Sequence, residues 1–238
     1  MTIFPLGDTA LVINFKQKIS QDIHRDVLQL VTYLKRKNIE GIAYFIPAYC
    51  SITVVFDPEK WNFEDLSERL YRMAEKIRNR SNELPEFNQW NIPVCYDEEF
   101  GLDLASLADE KKIDAEQIIQ WHLSKTYHVY MLGFLPGFVY LGDLDKKLQC
   151  QRKNEPRTMV PAQSVAIAGA QTGIYPLEGP GGWQIIGKTP IPIFLPSLEN
   201  PFLFHMGDRV TFKRVDKNKF DELSAFDFST LRKHCLIP

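Results

Sequence analysis

Residues 160–192 read VPAQSVAIAGAQTGIYPLEGPGGWQIIGKTPIP, and residues 131–145, MLGFLPGFVYLGDLD, lead into them. Nine of the thirteen glycines and seven of the fifteen prolines lie between Met131 and Pro192. Glycine allows left-handed backbone or a close approach of another chain segment. Proline fixes φ and removes a backbone donor. No helix survives that punctuation. Between the turns lie short apolar runs at Ser164–Ala168, Gln184–Ile186 and Ile191–Leu195. Short strands joined by tight turns are the pattern of a barrel or sandwich.

Outward from that stretch the pattern changes. Ala10–Phe15 reads as a strand. Ser20 is placed to cap a helix whose apolar stripe is Ile23, Val27, Leu30, Val31 and Leu34, ended by Asn38 and Gly41. Ile42–Ile46 and Ser51–Phe56 read as two more strands. A second helix starts near Asn62 with Phe63, Leu66, Leu70, Met73 and Ile77 on one face. A polar link at 79–88 marks the expected boundary, and Trp90–Tyr96 reads as a strand. The first half therefore predicts helices on one face of a mainly antiparallel sheet, in a ferredoxin-like α+β arrangement. The expected division is an α+β domain at 1–88 and a β-rich domain at 89–238. Residues 103–125 return to helical spacing, with Asp114 and Gln117 spaced as a capping box. Late strands are expected at Phe202–Phe204 and Val210–Arg214, then a short helix or loop from Asp216.

The 238 residues carry a net charge of −2, with both signs mixed along the chain. A dedicated nucleic-acid binder, which needs a basic patch, is excluded on that balance. No apolar run reaches the roughly 20 residues of a membrane span. The start, MTIFPLGDTA, lacks the features of a signal peptide. Cys50, Cys95, Cys150 and Cys235 are scattered without a C-x-x-C pair. They are read as reduced thiols of a cytoplasmic protein.

No P-loop, dinucleotide fingerprint, metal-ligand spacing or nucleophile elbow occurs, so no metal site is expected. The candidates are polar residues among the turns. His122 is either a helix-end histidine bonded to backbone or an acid/base near neutral pH. Arg157 is either a surface arginine or an anion clamp. Gln171 and Thr172 either close their own turn or present amide and hydroxyl to a ligand. Gly181 and Gly182, within Gly179–Trp183, either form a plain turn or aim several N–H groups at one anion, with Trp183 as a wall. Lys188 is either solvated or a cation for a phosphate or carboxylate. Phe134, Phe138 and Tyr140 read as core or interface.

Tyr130–Gly142, Pro156-Arg157, Val160–Ala162, Ser164–Gly169, Gln171–Pro176, Pro180–Trp183 and Ile186–Pro190 together resemble the B-subunit family of 5-oxoprolinase, also called PxpB, KipI or allophanate hydrolase subunit 1. The resemblance is strongest over 90–215. It implies an N-terminal α+β domain followed by a mainly-β, cyclophilin-like barrel. It implies a cytoplasmic component, inactive alone, of a heteromeric hydrolase. With C and A subunits as partners, that enzyme opens 5-oxo-L-proline to L-glutamate with hydrolysis of ATP. On that reading His122, Arg157 and Lys188 are catalytic, and Gln171, Thr172, Gly181, Gly182 and Trp183 bind substrate. Some relatives are inhibitors of a sensor histidine kinase, which gives the alternative role of a regulatory binding protein. A third setting is urea or allophanate metabolism. The sequence departs from the family pattern at Gln163 and Ala170, where glycine is usual, at Glu178-Gly179, and at Lys188, where arginine is usual.

Overall fold

The computed structural model describes residues 1–78 and 86–237. Most of the link expected at 79–88 lies outside the described residues. Two compact units emerge, Met1–Glu86 and Phe87–Pro238.

The first unit runs β1 (Thr2–Pro5), β2 (Ala10–Asn14), α1 (Gln21–Lys37), β3 (Ile42–Pro47), β4 (Ser51–Phe56) and α2 (Phe63–Arg78). Ser20 caps α1 by accepting from the Ile23 N–H at 3.3 Å, and Asn38 ends it in left-handed backbone at φ 43°. Asn62 caps α2 by accepting from the Asp65 N–H at 2.8 Å. Both helices bury their apolar stripes against Leu11, Ile13, Ile52 and Val54 of the sheet. The sheet order is β1-β2-β4-β3, antiparallel throughout.

The second unit adds β5 (Gln89–Val94), α3 (Leu104–Lys111), α4 (Ala115–Leu123), β6 (Tyr127–Leu132), β7 (Val139–Gly142), β8 (Arg157–Val160), β9 (Ser164–Ala168), β10 (Gln171–Ile174), β11 (Gly179–Gly181), β12 (Gln184–Lys188), β13 (Arg209–Arg214), α5 (Lys217–Ser224), α6 (Phe228–Cys235) and β14 (Leu236–Ile237). Eight strands form one sheet in the order β12-β9-β10-β7-β6-β13-β5-β14. It is mixed, because β13 pairs parallel with β5. β8 and β11 form a separate two-stranded flap.

The expected fold class, ferredoxin-like followed by a closed cyclophilin-like barrel, is corrected on both counts. In a ferredoxin-like unit the strand after the second helix returns to the sheet. Here β5, the Trp90 strand, pairs with β13 and β14 instead, and the N-terminal hairpin strand β1 fills the sheet edge. The larger sheet does not close into a barrel among the described residues. One bridge joins β12 to the residue following β5, with Cys95 and Lys188 exchanging N–H···O bonds of 2.9 Å. β14 pairs with Gln89 and Trp90, so it occupies the edge of β5 that a closing β12 would need. The chain is an α+β fold carrying a four-stranded antiparallel sheet, an eight-stranded mixed sheet and the two-stranded antiparallel flap.

Local expectations also shift. The region 103–125 is two helices, broken at Lys112 in left-handed backbone. Asp114 caps α4 without a side-chain hydrogen bond, so no capping box forms. Phe202 makes only an isolated bridge to Phe194. Of the two glycine replacements, Gln163 occupies φ +61° and Ala170 keeps negative φ. Glycine would therefore ease the backbone at the first position and not at the second.

Candidate functional site

All five residues of β9 are buried, because the sheet has a core on each face. Val165 and Ile167 join the main core with Val139, Leu141, Ile174 and Ile186. Ala166 and Ala168 join a second cluster with Phe138, Val160, Tyr175, Trp183 and Ile185. A strand buried on both sides shows an unbroken apolar run instead of alternation. Gly173 opens the second face. A Cβ there would stand 3.0 Å from Phe138 Cζ and 3.1 Å from Trp183 Cζ3. Gly181 does the same beside Tyr175, whose hydroxyl a Cβ would overlap.

The rings meet edge to face. Phe138 lies 5.4 Å from Trp183 and 4.9 Å from Tyr175, both near perpendicular. Tyr140 packs on Trp183 at 5.8 Å. They floor a cleft of about 70 Å³, edged by Gly181, Gly182, Phe134 and Arg152. The Gly133–Phe138 turn makes one lip, closed by the Gly133 N–H to Phe138 O bond at 3.1 Å. It holds Phe134 at φ +72°, 65% exposed. A bulky residue in left-handed backbone with its ring in solvent is an unusual arrangement, and such strain concentrates at functional sites. Burial raises the Tyr140 and Tyr175 hydroxyls, and the Arg152 charge opposes that rise in both. Both phenols are neutral donors at physiological pH.

Of the residues singled out from sequence, Gly181, Gly182 and Trp183 come together in this cleft. The other five do not edge it. His122 is fully buried on the opposite side of the sheet, stacked on Phe212 at 4.5 Å. Its Nε2 lies 3.0 Å from Thr172 Oγ1 and its Nδ1 lies 2.8 Å from the Tyr96 hydroxyl. Thr172 Oγ1 donates to Ala166 O at 3.0 Å, so it accepts from His122 Nε2–H, and Tyr96 donates to Nδ1. Burial pushes the His122 imidazole down to about 3. This is a closed, neutral network inside the core. Gln171 opens β10, paired with Ala168. Lys188 sits at the Cys95 bridge with its ammonium 5.9 Å from the Phe100 ring centroid.

Arg157 forms a fork on Asp103, with two N–H···O bonds of 2.7 Å. Asp103, 2% exposed, also accepts from Lys153 Nζ and the Ile185 N–H, each at 2.7 Å. Burial raises this carboxyl, but the bonds from Arg157, Lys153 and Ile185 outweigh burial and hold it below the ordinary value. The node ties the 149–157 connector to α3 and β12. The Lys153 N–H to Gly182 O bond at 2.7 Å ties it to the cleft wall.

Sequence reading missed Asp103, Arg152, Lys153 and Tyr175. Asp103 lies 54 residues from Arg157 and 82 from Ile185, so no local signal could pair them. Arg152 belongs to no motif that the sequence offered. Phe134, Phe138 and Tyr140 read as core or interface, and all three line the cleft.

Comparison with known proteins places these features in a family. The model described as carboxyltransferase domain, subdomain C and D, matches residues 1–204. A Bacillus subtilis protein, named as the B subunit of 5-oxoprolinase, is 38% identical over 223 residues, covering 90% of this chain and 93% of its own. The Escherichia coli O157:H7 protein of the same name is 38% identical over 208 residues, covering 87% and 93%. The solved structure of TTHA0988 aligns with TM-score 0.76 at 33% identity over 90% of this chain, which spans 40% of that longer chain.

Proposed function

This chain belongs to the carboxyltransferase subdomain C and D family that includes the B subunits of 5-oxoprolinases, and from that premise we propose that it is the B subunit of an ATP-dependent 5-oxoprolinase. The observation that supports this reading is the aromatic cleft. Its walls are the motif residues Phe134, Phe138, Tyr140, Gly181, Gly182 and Trp183, which carry the family resemblance, gathered at one place.

A five-membered lactam is a resonance-stabilised amide. Transfer of a phosphoryl group from ATP to its carbonyl oxygen gives an electrophilic carbon and a good leaving group. Water then adds to that carbon and the ring C–N bond breaks, giving ADP and the γ-acyl phosphate of glutamate, and a second water hydrolyses the acyl phosphate to glutamate and phosphate. This chain's part is to bind and orient the ring. The faces and edges of Phe138, Tyr140 and Trp183 exclude water from one side of it. A volume of about 70 Å³ is far below the roughly 300–1,000 Å³ of drug-sized sites, and it suits a single small ring. The cleft carries one cation, Arg152, which matches a carboxylate and not a triphosphate. Nucleotide handling therefore belongs to the partners, expected to be the C and A subunits. His122 and Thr172 act here as a core network, and Arg157 as a staple for the connector.

Co-expression with homologues of the C and A subunits, followed by assay of glutamate formed from 5-oxoproline with and without ATP, tests the reading. ATP-dependent glutamate is the expected result. An assembled complex that makes none, with a chain that instead blocks autophosphorylation of a sensor histidine kinase, would replace it with the regulatory role.

A further inference from the structure

The connector at 152–157 carries three cations, and the structure sorts them. Lys153 and Arg157 both bind Asp103. Arg152 makes no ion pair or side-chain hydrogen bond among the described residues, and it edges the aromatic cleft. No Asp or Glu lines that cleft. Its neighbours fix its backbone, because Lys153 is held both by Asp103 and by Gly182 O. Arg152 is thus held at the rim of the cleft, with its side chain within reach of it.

Arg152 lines the cleft together with Tyr140 and Tyr175. An aromatic floor beside one forked cation is the complement of a small apolar ring bearing one carboxylate.

We propose that Arg152 anchors the carboxylate of a small ring acid whose ring lies on Phe138, Tyr140 and Trp183, and that it sets the preference of this site for acids over uncharged lactams. The proposal rests on the substrate-site reading of the cleft. Arg152 is exposed and unpaired, so its removal leaves the fold intact.

The test uses the complex reconstituted with homologues of the C and A subunits. KM and kcat are measured for 5-oxo-L-proline and for its carboxamide. Binding of both compounds is followed in the same complex by the indole N–H resonance of Trp183. The wild-type chain should prefer the acid. Arg152→Ala should raise KM for the acid about 10-fold or more, the loss expected for one charge-assisted contact, with kcat within about 2-fold. It should also erase the acid preference in binding, and Arg152→Lys should restore part of it. A complex that makes no glutamate refutes the 5-oxoprolinase reading, while the resonance still reports the acid preference. No acid preference in the wild-type chain, or a preference unchanged in Arg152→Ala, overturns the anchor.

Discussion

Replacing Asp103 with alanine removes four acceptor contacts at once. Two go to the Arg157 fork, one to Lys153 Nζ and one to the Ile185 N–H, all at 2.7 Å. Breaking a buried ion pair from one side costs about 3–5 kcal/mol, because the remaining charge stays unpaired. The Arg157 and Lys153 side chains are 25% and 29% exposed, so water recovers part of their hydration. The expected loss is then about 2–3 kcal/mol. For a unit the size of Phe87–Pro238 this lowers Tm by roughly 4–12 °C. Asp103→Asn, which keeps an acceptor for the Ile185 N–H, should lose less. Acid should mimic the variant. The folded carboxyl sits below its unfolded value, so its contribution is full above about pH 4 and is lost as pH falls through the folded value. Thermal unfolding of the single variants and of Asp103→Ala/Arg157→Ala measures the coupling, expected at about 1–2 kcal/mol. A Tm within about 1 °C of wild type, or zero coupling, would refute the node as a staple.

Three further outcomes follow from the same geometry. His122 and His128 are lowered by burial to about 3 and about 4, so below about pH 6.5 the unfolded chain takes up protons that the native chain refuses. Urea midpoints should fall steadily from pH 6.5 towards 4, and a flat profile over that window would contradict the buried neutral assignment. Gln163→Gly should raise stability by about 0.5–1 kcal/mol, because relief of left-handed strain exceeds the entropy cost of glycine, as read by chemical denaturation. Gly173→Ala should cost about 1–3 kcal/mol and shift tryptophan emission, since its Cβ would press on Phe138 and Trp183. Unchanged emission would show that the ring cluster tolerates the methyl group.

Much of the local structure was legible because it is set by neighbours in the chain. The α1 stripe of Val27, Leu30, Val31 and Leu34 is buried as its spacing requires, and the Ser20 cap forms. The motif glycines were legible as close approaches, and Gly181 beside Tyr175 is one. Sheet order was not legible. Nothing in residues 89–94 tells that strand to pair with β13, more than a hundred residues away, in preference to the sheet of the first unit. The candidate site was half legible for the same reason. Trp183 and its glycines sit in the cleft, but alternation along β10 turns Thr172 to the opposite face of the sheet, where His122 waits. With both faces of the sheet buried, hydrophobicity could not say which face held the site. Arg152 could not be distinguished from Lys153 and Arg157 until Asp103 was seen to engage two of the three.

The most direct measurement of the cleft's role is kcat/KM for 5-oxoproline in the reconstituted complex carrying Phe134→Ala. Phe134 is 65% exposed, so its truncation spares the core, and Phe4→Ala, at a residue 51% exposed in the other unit, serves as the control. A fall of about 10-fold for Phe134→Ala with Phe4→Ala unchanged is the expected result. Full activity with Phe134→Ala would mean that substrate does not meet this chain at the aromatic cleft.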